Sequence, residues 1–127
     1  LNQKIAEVNL ADARLKDDIQ NIPEELIEIF KEVKPKMYTM GGLKQFGYIA
    51  QDVERALFKY ATQTYGIETA RRNKEMFNIV GKDDSYLSLV YRQVGTIKDA
   101  EKDSRINKLE QRLVEVEELL GKMEAKK

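Results

Sequence analysis

The chain has 127 residues, 42% of them hydrophobic, which is enough for one modest domain and short of two. Its 22 basic residues are balanced by 22 acidic ones, and no apolar run nears the ~18 residues of a bilayer span, so neither nucleic acid nor membrane is an expected partner. Cysteine and histidine are both absent, which excludes disulfides, thiolate nucleophiles, the usual general base and the commonest metal ligand, so no cofactor or metal is expected.

The chain opens on Leu1 without a charged-then-apolar leader, and it is expected to be part of something longer. The first stretch of chemical interest is LADARLKDDI at 10–19, an Asp-x-Arg-Leu-Lys run preceded by Ala11, where a hydroxyl would supply a nucleophile with Lys16 close by. The three serines present, Ser85, Ser88 and Ser104, fall in or beside a helical pattern and read as capping or solvated residues.

From Asn21 the residues NIPEELIEIFKEVKP predict a helix, with Pro23 at its start, acidic residues in its first turn, and Ile22, Leu26, Ile29, Phe30 and Val33 on one face. Pro35 ends it. Two runs of β-forming residues flank Gly41-Gly42, the composition of a tight hairpin whose turn needs positive φ. Val53, Ala56, Leu57, Tyr60 and Ala61 then follow the i, i+3, i+4, i+7, i+8 pattern of an amphipathic helix, which Gly66 is placed to stop.

Residues 67–84, IETARRNKEMFNIVGKDD, have no clean period and fit either a short helix followed by a strand or an extended excursion from the core. Arg71, Arg72 and Lys74 lie there, but Glu68 and Glu75 flank them, and a solvated face fits better than a phosphate site.

The remainder reads as a long helix with two apolar stripes. The first is Leu87, Val90, Tyr91, Val94 and Ile97; the second is Ile106, Leu109, Leu113, Val116, Leu120 and Met123. The second steps by three and four residues, a heptad seam with Ile106, Leu113 and Leu120 at a and Leu109, Val116 and Met123 at d. Val at a d position argues against a parallel dimer and leaves three or four strands open, with a trimer preferred. The polar KDAEKDSR between the stripes breaks the heptad phase, so a stutter, bend or local break is expected. A stripe this narrow also suits a helix packed within its own domain, but self-association fits better, since the seam is otherwise exposed apolar surface.

Three segments in this order, ADARLKDDI, GGLKQFGYIAQDVERAL and YLSLVYRQV leading into the heptads, resemble the chaperone-of-endosialidase family. Its members are C-terminal intramolecular chaperones of phage tailspikes, tail fibres and neck appendages, with related domains in some membrane-bound transcription factors. In the family a serine opens a Ser-Asp-x-Arg-Leu-Lys motif, and the trimerised domain cuts the chain just before that serine. The resemblance implies that Ala11 holds the nucleophile position, that Lys16 is the base partner, and that Leu10-Ala11 is the scissile bond. Since a methyl group cannot attack a carbonyl, the chain as written is expected to assemble without cutting, whether the alanine is engineered or belongs to a naturally inactive homologue. Whether to call it an enzyme turns on that one residue.

The chemistry constrains the geometry further. A lysine base must be brought from ~10.4 toward ~7–8 by burial or a nearby cation, and Asp12, Asp17 and Asp18 act in the opposite sense. Positions five apart also diverge on a strand or a helix, so a bend or a neighbouring subunit has to bring them together. Within the central block, Ile49 and Ala50 read as packing residues beside Tyr48, and Gln51 reads as a helix-start hydrogen bonder or a site residue.

The expected fold is thus α+β and mainly helical: a small β-hairpin core with packed helices and a C-terminal trimeric coiled coil. Residues 1–10 are expected to end an upstream fibre or linker, 11–85 to form the chaperone and autoprocessing core, and 86–127 to form the long helix and coiled coil. The resemblance implies a homotrimer whose other partner is the upstream fibre portion of its own polypeptide, acting in virion assembly in the host cytoplasm before the parent protein joins the tail or neck. The irregular 67–84 segment could reach upstream to cover unpaired strand edges. The alternative is a non-proteolytic coiled-coil adaptor or trimerisation domain. A hydrolase acting on other molecules fits worst, since no histidine, cysteine or well-placed serine is present.

Overall fold

Pro23 sets the start of the first helix. In the computed structural model, which describes residues 12–73, 77, 79–83 and 86–126, α1 runs over Glu24–Ile29 and tightens into a single 3-10 turn, Phe30–Glu32. Proline has no N–H to leave orphaned at the first turn, and Glu24 and Glu25 sit where the helix dipole favours negative charge. Leu26, Ile27, Ile29, Phe30 and Val33 are buried.

The hairpin expected around the paired glycines is present. Strands β1, Lys36–Met40, and β2, Leu43–Gly47, pair antiparallel with Lys36 opposite Gly47 and Met40 opposite Leu43. Gly41 and Gly42 have φ of 60° and 78°, the doubly positive turn that matches the twist of a two-residue hairpin.

Helix α2, Ala50–Tyr65, buries the five residues its period marks: Val53, Ala56, Leu57, Tyr60 and Ala61. It ends at Gly66, whose φ of 92° favours glycine and whose N–H donates to the Thr62 carbonyl at 3.0 Å. The unperiodic segment that follows takes the first of its two expected forms. It makes a short helix, α3 at Ile67–Arg72, and then a strand, β3 at Val80–Asp83.

One expectation is corrected here. Leu87 belongs to a strand, β4 at Tyr86–Leu89, paired antiparallel with β3 so that Val80 faces Leu89 and Asp83 faces Tyr86. YLSLV satisfies a strand's alternation as well as a helix's period, and β3 supplies a partner edge that decides between them. Ser88 is therefore a strand residue, and the long helix α4 starts at Tyr91 and runs unbroken to Ala125. The Val90 N–H donates to the Ile79 carbonyl at 2.7 Å, which joins the end of this second hairpin to the helix start.

Of the stutter, bend or local break expected between the two apolar stripes, a break is excluded, because α4 is continuous through residues 97–106. The change of phase is a change of partner. Val94 and Ile97 are buried against the chain's own core, whereas Ile106, Leu109, Leu113, Val116, Leu120 and Met123 are all at least half exposed.

The core gathers Leu26, Ile29, Phe30 and Val33 from α1 and its 3-10 turn, Val53, Ala56, Leu57 and Tyr60 from α2, Ile79, and Val94 and Ile97 from α4. Tyr48, Phe77, Val80 and Leu89 pack around it, with the Tyr60 and Phe77 rings 6.0 Å apart. The architecture is α+β and mainly helical, with two small hairpins. Among the described residues, no helix is long and apolar enough to cross a membrane, and no group of three or more acidic side chains is placed to hold a metal ion.

Candidate functional site

Asp12, the first residue of the Asp-x-Arg-Leu-Lys run to be described, caps a one-turn 3-10 helix over Ala13–Leu15. Its carboxylate accepts the Arg14 backbone N–H at 2.9 Å, and the Arg14 guanidinium folds back on the same carboxylate at 2.6 Å. These bonds to Arg14, side chain first and backbone second, hold the Asp12 carboxyl below its usual range. The run is therefore a bend, because a short side-chain acceptor at the cap satisfies an N–H that the turn leaves free.

Lys16 closes the turn. Its N–H donates to the Ala13 carbonyl at 3.1 Å, its backbone is extended, and its side chain is exposed. Two residues on, Asp18 takes φ of 49°, a left-handed conformation that aspartate tolerates better than most residues. The chain therefore bends between Asp12 and Lys16. Burial of the lysine, one of the two ways to depress a lysine base, is not supplied within one chain. Leu10 and Ala11 lie outside the described residues, as do Lys74 and Glu75.

The central block joins the first hairpin to the core. The Tyr48 carbonyl accepts the Tyr91 hydroxyl at 3.1 Å, and the Tyr38 and Tyr91 hydroxyls are 3.4 Å apart. The contact with Tyr38, and then partial burial, push the Tyr91 phenol above its usual value. Gly47 makes this possible: a Cβ there would lie 2.8 Å from the Tyr38 hydroxyl and 2.9 Å from that of Tyr91. Ile49 accepts the Asp52 and Val53 N–H groups at the head of α2, and Ala50 opens that helix. Gln51 is exposed and makes no capping bond to the helix start. Arg72 pairs with Glu68 one turn earlier, as befits a solvated face.

The run 98–105 reads as polar throughout, and its composition does not announce the buried ion pair it holds. Lys98 and Glu101 are 4% and 2% exposed. The Lys98 ammonium donates to the Phe30 carbonyl at 2.9 Å and to Glu101 Oε1 at 3.2 Å. Glu101 Oε2 faces the Arg105 guanidinium at 3.4 Å, an ion pair without hydrogen-bond geometry. The signal was available, since Val94, Ile97, Lys98 and Glu101 follow i, i+3, i+4, i+7. The pair pins α4 to the carboxyl end of α1, and farther along Lys108 lies 3.9 Å from Glu24 and 4.0 Å from Glu28.

Beyond this anchor the six seam residues are between 50% and 63% exposed. At about 100° per residue, the seam lies on average roughly 80° around the helix from the side that carries Val94, Ile97, Lys98 and Glu101, and it continues past the end of the body. The chain's own body therefore leaves the seam uncovered.

The family model Peptidase_S74, chaperone of endosialidase, matches residues 11–62, a stretch that starts at Ala11 and takes in the turn, the first hairpin and most of α2. It supports the resemblance carried by the motifs. No curated protein and no solved structure matches the chain.

Proposed function

We propose, from the premise that residues 11–62 are a chaperone-of-endosialidase domain, that the chain is an intramolecular chaperone that trimerises and promotes folding of a β-rich phage fibre or appendage upstream of it. The observation that carries this reading is that the family match starts at residue 11, the position before which the family cuts itself. The uncovered heptad seam supports the trimer, because six apolar side chains in one stripe are stabilised only when another helix covers them.

Holding three chain ends together replaces a termolecular encounter with a local one at high effective concentration, so a fibre rich in non-local strand pairings can nucleate from its C-terminal end. Cleavage between Leu10 and Ala11 would then release the chaperone and leave a fibre that is slow to unfold. With Ala11 in the serine position, this chain assembles and does not cut. The act takes place in the host cytoplasm, and the parent protein ends in the virion tail or neck.

The exposure of Lys16 favours completion of the site by a neighbouring subunit, which would withhold cleavage until assembly. It also favours the second reading, a coiled-coil trimerisation module without proteolysis. One experiment separates them: Ala11→Ser in a chain extended upstream, analysed by gel and mass for a break between residues 10 and 11, with the oligomer sized in parallel. A cut that Lys16→Ala abolishes establishes the self-releasing chaperone. An intact trimer after the serine is restored leaves the assembly role alone. Mixing subunits that lack the serine with subunits that lack the lysine tests sharing across chains, since cleavage in the mixture and in neither parent requires it.

A further inference from the structure

The first hairpin stands apart in composition. From Lys34 to Gly47 it carries Lys34, Lys36 and Lys44 and no acidic residue, in a chain whose charges balance as a whole. Strand alternation and the register put Met37, Thr39, Lys44 and Phe46 on one face, with Met37 opposite Phe46 and Thr39 opposite Lys44. Tyr38, which meets Tyr91, lies on the other face, so this one turns away from the body. Met37 is 59% exposed and Phe46 79%. A two-stranded sheet is marginal by itself in water, and a surface that covers its apolar pair stabilises it. Among the described residues, none of the three lysines has an ion-pair partner.

The chain holds one surface of complementary chemistry. Residues 13–21 are exposed throughout. Leu15 and Ile19 are apolar residues left in water there, and between them Asp17 and Asp18 are acids without an ion-pair partner among the described residues. Within one chain neither surface covers the other, since both stay exposed.

We propose that the outer face of the first hairpin seats residues 15–19 of a neighbouring copy, with Met37 and Phe46 on Leu15 and Ile19 and with Lys44 against Asp17 and Asp18. The proposal rests on the self-association read above and adds which element of the neighbour reaches the motif. Each copy offers one hairpin and one motif segment, so the contact is heterologous and closes into a ring in a three-fold assembly. Two effects converge on Lys16, which lies within the seated segment. The apolar pair supplies from the neighbour the burial that one chain lacks, and Lys44 offsets two carboxylates that favour the charged ammonium. The hairpin covers and positions the motif and takes no part in bond making.

The test uses the whole chain, which has no cysteine of its own, and its first readout is independent of cleavage. Ile19→Cys with Phe46→Cys in one chain should give a covalently linked trimer on a non-reducing gel after mild oxidation, while either substitution alone leaves monomers there. Adding Lys44→Glu, or screening with salt, should lower the linked fraction roughly two- to five-fold. Sedimentation of the reduced protein reports association separately. The proposal is overturned if the oligomer persists but the double-cysteine chain stays unlinked, which assigns the hairpin to another occupant such as the upstream chain. An internal disulfide in a single chain overturns it as well. A chain that is monomeric at all concentrations removes the self-association reading, and the proposal with it. In the Ala11→Ser chain, Phe46→Ala should slow cleavage, and mixing in the uncut parent chain, whose hairpin is intact, should restore part of it. Cleavage that Phe46→Ala leaves unchanged, or that the mixture does not restore, overturns the proposal. The disulfide result stands whether or not the serine chain cuts, so loss of the docking and loss of the proteolytic reading are separate outcomes.

Discussion

Replacing Glu101 with alanine is expected to weaken the body far more than its place in a polar stretch suggests. The Lys98 and Glu101 side chains are 5% and 2% exposed, so neither charge is solvated in the folded chain. Without Glu101, the Lys98 ammonium keeps one acceptor, the Phe30 carbonyl at 2.9 Å, and no countercharge. Breaking a buried pair from one side costs about 3–5 kcal/mol. That is a large share of the roughly 5–15 kcal/mol by which a domain is stable. Arg105 adds little to the loss, because its side chain is 53% exposed and water replaces its partner.

The pair removed together behaves differently. In Lys98→Met with Glu101→Leu no charge remains buried, and the main residual penalty is the orphaned Phe30 carbonyl, about 1–3 kcal/mol. The double variant should therefore be more stable than either Glu101→Ala or Lys98→Met. Urea unfolding followed by helical circular dichroism, at one fixed protein concentration because association shifts the midpoint, measures all three. A loss below about 1 kcal/mol for Glu101→Ala, or single losses that simply add in the double variant, refutes the buried-pair argument.

Gly47→Ala should displace the first hairpin from the head of α4, since the new methyl meets two tyrosine hydroxyls at 2.8 and 2.9 Å; a loss of about 1–3 kcal/mol in the same assay is expected, and no loss would show that Tyr38 and Tyr91 swing away freely. Leu113→Glu should leave unfolding of the body within about 0.5 kcal/mol of the parent chain while abolishing the oligomer seen by sedimentation, because Leu113 is exposed within a single chain. Tyr91 supplies a pH dependence. Its phenol is pushed up in the folded chain, so the folded state holds the proton more tightly than the unfolded state. The stability this contributes is complete below the ordinary tyrosine range and is lost as pH rises through the raised value. Tyr91→Phe should remove from an absorbance titration a phenol that ionises above the ordinary tyrosine range and flatten stability at high pH; an unchanged titration would contradict the assignment.

Where structure is local, the residues alone were enough. Gly41-Gly42 dictated the first hairpin because few other pairs accept two positive φ values, and the spacing from Val53 to Ala61 dictated α2 because one buried stripe needs that period. The Asp-x-Arg-Leu-Lys motif marked a segment to which the family model also matches, and its turn follows from a short acidic cap. The seam from Ile106 to Met123 was likewise legible, since its repeat belongs to one helix.

What the sequence alone left open depends on which surface meets which. YLSL could serve a helix or a strand until β3 offered it an edge, and the unperiodic 67–84 stretch resolved only when Ile79 and Val80 joined the core and its rim. The burial of Lys98 and Glu101 within a polar run is not legible in composition, which does not report that the Phe30 carbonyl waits at the end of α1 to receive one of them. The phase shift along α4 is consistent in sequence with a stutter, a bend or a break, and tertiary structure makes it a division of labour within one continuous helix. One side is fixed to the body, and the other is left apolar and free, because a straight helix can bury a single stripe against a body this small.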